Sequence, residues 1–354
     1  MINVSDNLDF KMLAEWEKHS ALWLAWPHDV ISFGSLNAKD GISDTGRLGR
    51  VEQIYISIIK NIHQSEIVKL LVLDENMKLK VTEMLQTVGV DMSRVVFYIT
   101  DYADVWARDY GPMFVKQGNK KSWVKWNYFA YGGKFPALIK DNKVFLNLVD
   151  KVEGDMIRPN IFMEGGAIEV NGDGVLITTE QCLLNSNRNP ELSKSQIENI
   201  LMKTLGVKKI IWLKDGLVND HTDGHIDDLI KFVNTNTILV SYEEDTTHPN
   251  FKNLDENYKI LEQATDQNGK KFNLIKIPLP HMTYTNGEPA PASYANFYIG
   301  NDVVLVPTYN DPNDQKALHL IQSYFPNRKV VGINCTDLIY GGGAIHCITQ
   351  QEIA

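Results

Sequence analysis

Four well-separated stretches of this sequence carry side chains that could do chemistry together. Residues 341–351 read GGGAIHCITQQ and hold Cys347. A Cys among Ile345, Ile348 and Ala344 is most often a small buried hydrophobe. A plain strand, however, gains nothing from three successive glycines, which permit positive φ and close approach of a ligand or another segment. Cys347 is thus a candidate nucleophile as well as a core residue, and Gly342 a candidate substrate contact. The stretch HTDGHIDD holds His225, with Asp227 two residues on. In a strand the two share a face. A carboxylate beside an imidazole favours its charged form, which suits an acid/base partner for a thiol.

Asp109, in WARDYGP, and Glu164, in FMEGGAI, each abut glycine and an apolar strand. Surface or turn placement is the usual fate of an acid, but these contexts predict partial burial, and a buried carboxylate needs a partner. Several carboxylates around one His and one Cys make a pocket for a cation. A planar guanidinium is the cation best matched to paired carboxylates. Trp106 could stack on such a cation or fill the core. Arg108 points away from Asp109 if the segment is extended and is read as structural. His221, His225 and Asp227 also have the spacing H-x3-H-x-D of a metal site. That reading needs helical geometry, which Asp-Gly followed by the strand-like LIKFV does not favour, so no metal is expected.

These residues need elements to position them. A polar or Gly-rich start leading into a short apolar strand recurs at 107–115, 162–170, 223–233, 293–307 and 340–349. The intervals between Asp109, Glu164, His225, Tyr294 and Cys347 are 55, 61, 69 and 53 residues. Such a period suggests repeated supersecondary units. Helical periodicity appears between them over 50–63, 194–206, 253–265 and 314–325, with Pro190 and Ser193 as start signals for the second. SEIVKLLVLDE and KKIIWLK read as short buried strands. The AIHCIT tail reads likewise as a buried strand. Five α/β units that each bury one face must stack, either as a closed ring or as an ordinary open sheet.

The whole chain sets the outer bounds. Its 354 residues carry a formal net charge of −9, so no basic field meets phosphates and no nucleic-acid partner is expected. The three cysteines, Cys182, Cys335 and Cys347, are too few and odd in number for a disulfide framework. Cys182 and Cys335 are read as core. The N-terminus shows no signal-peptide pattern, and no apolar run approaches the ~20 residues of a membrane span. One soluble cytoplasmic domain over 1–354 is expected.

Taken together, the motifs resemble the agmatine deiminase family, also called the Porphyromonas-type peptidylarginine deiminase family. They are WEKHSALWLAWPH, DVWARDYGPMFV, FMEGGAIEVNGDGVLITTEQCLLNSNRNP, DGHIDDLIKFV, ASYANFY and GGGAIHCITQQ. The resemblance runs from about Trp16 to Gln351. It implies a five-bladed α/β propeller with pseudo-five-fold repeats, the pentein fold of guanidine-modifying enzymes. It also implies roles: Cys347 as nucleophile, His225 as acid/base, Asp109 and Asp227 on the guanidinium, Glu164 as the E-G-G glutamate and Trp106 as the active-site Trp. No metal or organic cofactor is implied, and the partner is a small-molecule guanidine; self-association is left open. Two positions depart from the family's pattern. Ala344 stands where an Asn is usual, and His221 where an acid precedes the catalytic His; both are expected near the far end of the substrate. Free arginine needs a partner for its carboxylate, with Arg188 the nearest candidate. Agmatine, which lacks that carboxylate, is the expected substrate. Free or peptidyl arginine remains the alternative, with amidino transfer or metal-dependent hydrolysis behind it.

Overall fold

The structure is a computed structural model and describes residues 9–33 and 46–354. Its strands form five small sheets of one plan. In each sheet a first and a second strand pair antiparallel, and a third joins parallel to the second. The second blade has Met113–Gln117, Lys120–Val124 and Asp155–Ile157. The third has Ile168–Val170, Val175–Thr179 and Lys209–Leu213. The fourth has Ile230–Asn234, Thr237–Tyr242 and Asn273–Pro278. The fifth has Tyr298–Ile299, Val303–Thr308 and Lys329–Asn334.

The first blade is built from both ends of the chain. Gln350–Ile353 pairs antiparallel with His19–Ala25, with Leu22 opposite Gln351. Ile67–Val72 and Val95–Ile99 then add in parallel. The C-terminal tail therefore does not fray: it supplies the first strand of the blade that the N-terminal segment begins. Pairing the tail in this way covers the edge that His19–Ala25 would otherwise expose.

Parallel strands need crossovers, and helices supply them. Arg47–Ile62, Lys194–Leu205, Phe251–Gln263 and Asp314–Tyr324 fall where periodicity places them. Lys194–Leu205 shows the local causes clearly. Ser193 and Gln196 form a reciprocal capping box, and Gly206 ends the helix at φ +69°. Ile197, Leu201 and Leu205 form its buried face, each contributing roughly 1.5–3 kcal/mol by leaving water. The helix Glu75–Thr87, capped by Asp74, carries the chain to the extra strand of the first blade and was not anticipated. The second blade's crossover is a run of short turns over 130–151 rather than one helix.

One expectation fails in an informative way. The segments carrying the candidate side chains are not extended. A single helical turn precedes the first strand of four blades: Ala107–Tyr110, Gly165–Ala167, Ile226–Asp228 and Ile345–Ile348. AIHCIT is thus a turn feeding the strand Gln350–Ile353. Arg108 and Asp109 are also on a turn, not on a strand. Among the described residues no helix is long and apolar enough to cross a membrane.

Candidate active site

The turns at the head of each blade meet one another, and their side chains close a ring. Asp109 of the second blade accepts the Gly166 amide of the third at 2.9 Å. His225 of the fourth reaches back to both, with Nδ1 3.8 Å from Asp109 and Nε2 3.9 Å from Glu164. Asn296 of the fifth donates to Asp228 at 3.0 Å and to Cys347 Sγ at 3.1 Å. Arg108 donates to the His346 carbonyl at 3.3 Å, joining the second blade to the first. Five blades so linked around one centre are an α/β propeller. Sequence positions hundreds of residues apart become neighbours at its axis.

Cys347 is 6 % exposed and sits among three acids. Its Sγ lies 3.7 Å from Asp227 Oδ2. Burial, followed by Asp227, Asp228 and Asp109, pushes the thiol well above its ordinary range. Burial also raises Asp109 to about 6, with His225 opposing the shift and Asp227 adding to it. Asp109 is held in place by the Tyr131 hydroxyl at 2.9 Å. Burial alone would lower His225, but Asp109, Cys182 and Glu164 outweigh it and hold the imidazole well above its usual value. Asp227 is favoured as an anion: burial works against this, and a 2.7 Å bond from His346 Nδ1 overcomes it.

Among the described residues, three buried atoms of His225 and Asp227 lack a hydrogen-bond partner: His225 Nδ1, His225 Nε2 and Asp227 Oδ1. Buried polar atoms are rarely left so. A planar cation with several N–H groups, lying between Asp109 and Asp227, would satisfy the carboxylate and complete the charge balance.

The glycine run is explained by crowding. A Cβ on Gly341 would lie 2.4 Å from Phe33 and 3.0 Å from Trp106. One on Gly343 would lie 2.8 Å from Trp106 and 3.0 Å from Cys347 Sγ. Gly342 has φ +107°, and a Cβ there would fall 1.7 Å from His221 Cε1. The two positions singled out for substrate contact, His221 and Gly342, therefore touch each other. His221 also packs edge-on against Tyr131 and Phe135. Trp106 is buried, donates its indole N–H to Asp104 at 2.9 Å and walls the glycine run. Ala344 is buried at the start of the nucleophile turn.

The structure corrects several roles. The partners of His225 are Asp109 and Glu164 rather than its sequence neighbour Asp227, because the 226–228 turn breaks the strand alternation. Arg188 binds Glu164 at 3.1 Å and also bonds Asp223 and the Thr222 carbonyl. It fixes Glu164, and its side chain is fully buried among these partners. Cys182 is buried as expected, yet it stands beside His225. Its donor atom and those of Glu164 and His225 lie within 4.8 Å of one another. Those are donor types a zinc ion accepts, but both Glu164 oxygens already receive Arg188 Nε. Tyr131, Asn296, Asp228 and His346 were missed. Asn296, Asp228 and His346 lie inside the recurring strand starts at 293–307, 223–233 and 340–349, whereas Tyr131 lies outside them.

A family model described as Porphyromonas-type peptidyl-arginine deiminase matches residues 11–352. The chain belongs to this family. A Legionella pneumophila relative, provisionally named an agmatine deiminase, is 36 % identical over 97 % of this chain and 95 % of its own. The agmatine deiminase of Enterococcus faecalis superposes with a TM-score of 0.86 at 32 % identity, covering 97 % of this chain and 96 % of its own. A cysteine-to-serine variant of C. jejuni agmatine deiminase with substrate bound superposes with a TM-score of 0.83 at 28 % identity, covering 98 % and 96 %. Membership accounts for the pentein fold and for the amidine C–N hydrolase class.

Proposed function

We propose that this peptidyl-arginine deiminase family member hydrolyses the guanidinium of agmatine to N-carbamoylputrescine and ammonia. The observation that carries the reading is the grouping of Asp109, His225 and Asp227 beside Cys347, with Asp227 Oδ2 3.7 Å from Sγ and Asp227 Oδ1 without a partner. The names of its relatives point to agmatine. Arg188, the nearest candidate partner for an arginine carboxylate, is instead buried against Glu164, Asp223 and Thr222.

In this reading Asp109 and Asp227 hold the guanidinium and set its carbon against Sγ. The bound cation offsets the acids that disfavour the thiolate, and the thiol proton leaves the site. Sγ attacks the carbon and forms a neutral tetrahedral adduct. His225, held protonated by its acids, gives its proton to one amino group; the C–N bond breaks and ammonia departs. An amidino group remains on Sγ. His225, now neutral, takes a proton from water while the hydroxide oxygen bonds to carbon. The hydroxyl proton passes to sulfur as the C–S bond breaks, and thiol and ureido product are released. Glu164, fixed by Arg188, orients His225. These steps need no group beyond the chain and water.

The purified protein should be incubated with agmatine, free arginine and a blocked arginine peptide in parallel, with ammonia and ureido product followed by mass spectrometry. Product from agmatine alone is expected. Product from another guanidine and none from agmatine would discard the substrate and keep the chemistry.

A further inference from the structure

The residue before the nucleophile has its own buried network. His346 is 2 % exposed. Its Nδ1 lies 2.7 Å from Asp227 Oδ2, and its Nε2 lies 2.8 Å from Glu15 Oε2. Each ring nitrogen thus lies within hydrogen-bond distance of a carboxylate oxygen. Glu15 is held in turn by the Ile299 amide at 2.8 Å, by Lys231 at 2.9 Å and by Arg108 at 3.6 Å. Residues from the N-terminal segment and from the first, second, fourth and fifth blades therefore converge behind one oxygen of Asp227. The other oxygen, Oδ1, is left without a partner.

We propose that Glu15 and His346 are positioning residues: through the chain Glu15–His346–Asp227 they fix the Asp227 carboxylate beside Cys347, leaving it to receive the substrate cation. The proposal rests on Asp227 as a guanidinium-binding group, as argued above. The physical reason is geometric. A carboxylate held by one oxygen can still rotate, whereas a charge-assisted bond to a ring anchored at its far side restricts it. His346 and Glu15 do not meet substrate. The charged groups facing Asp227 are His346, His225, Arg108, Asp228, Asp109 and the Cys347 thiol. Those facing Glu15 are Lys231, His346 and Arg108, with Glu169 across Lys231. Removing the His346 donor lets Asp227 take up a proton at higher pH.

The test uses three isosteric variants of the full chain with agmatine. In H346N the amide nitrogen lies where Nδ1 was and can still bond Asp227. In H346Q the amide reaches only toward Glu15. E15Q weakens the far anchor. H346Q and E15Q should raise KM roughly 10- to 100-fold, with a smaller change in kcat, since a misplaced binding group costs on that order. The acidic limb of kcat/KM should move to higher pH in both. H346N should stay within several-fold of wild type. The H346N–H346Q pair decides the matter even where E15Q does not fold. Agmatine affinity measured by calorimetry in the Cys347→Ala background gives the same ranking without turnover. Variants that lower the melting temperature but keep wild-type KM, affinity and acidic limb would overturn the proposal alone. A wild-type protein that neither binds nor turns over agmatine would overturn the reading of the site with it.

Discussion

Cys347 Sγ lies 3.7 Å from Asp227 Oδ2, with the thiol proton directed at the carboxylate. The thiol thus faces an anion whenever the site holds no cation. Burial and the surrounding acids keep it neutral, well above the ordinary thiol range. Charge that disfavours the thiolate in the free site is neutralised by the substrate's own charge.

Alkylation should report this directly. Without substrate, iodoacetamide should modify Cys347 with a pH midpoint above the ~8.5 of a free thiol. Replacing Asp227 by Asn removes one of the opposing charges and should lower that midpoint. A wild-type midpoint at or below ~8.5, read by mass spectrometry of the Cys347 peptide, contradicts the electrostatics.

Asp109 should set an acidic limb. An ordinary Asp titrates near ~3.9, whereas burial raises Asp109 to about 6. It must be ionised to hold a guanidinium, so kcat/KM should fall as pH drops through about 6. Because the folded-state value is raised, the stability it contributes is present below ~3.9 and is lost as pH rises through about 6. D109N should therefore fold at least as stably at pH 7 while losing about 100-fold or more in kcat/KM. Wild-type kinetics in D109N would remove Asp109 from the site.

Glu164 depends on Arg188. The pair is buried, and removing one member leaves an uncompensated charge at a cost of about 3–5 kcal/mol. R188M should lower the melting temperature in calorimetry and reduce kcat by about 100-fold as His225 loses its orienting acid. R188M with wild-type kcat would show that Glu164 needs no such fixing.

Much of this was legible in sequence, and the failures share one cause. The recurrence from Asp109 to Cys347 marked the five blade heads. The helices at 194–205, 251–263 and 314–324 followed from periodicity. What periodicity could not show is that the polar residues sit on single helical turns, because one turn of three or four residues is too short to carry a period. Strand alternation therefore misplaced the nearest acids of His225, which are Asp109 and Glu164, although His225 and Asp227 still feel each other's charge. Tyr131 was invisible for another reason. It sits at φ +58°, a conformation that no local signal in AYGG assigns to a Tyr.

The glycine run offers a steric test. At Gly342 a side chain meets both a positive φ and the His221 ring. G342A should cost about 1–3 kcal/mol of stability, read by calorimetry. It should also raise KM by displacing His221. An unaltered KM in a folded G342A would show that the contact lies outside the substrate's reach.

The central claim is that Cys347 attacks the guanidinium carbon. The most direct measurement is the intact mass of the enzyme mixed with agmatine and quenched in acid during turnover, followed by peptide mapping. The account predicts an adduct equal to agmatine less ammonia, located on Cys347, and neither adduct nor product in the Cys347→Ala protein. Ureido product from a folded Cys347→Ala protein, or an adduct on any other residue, would contradict it.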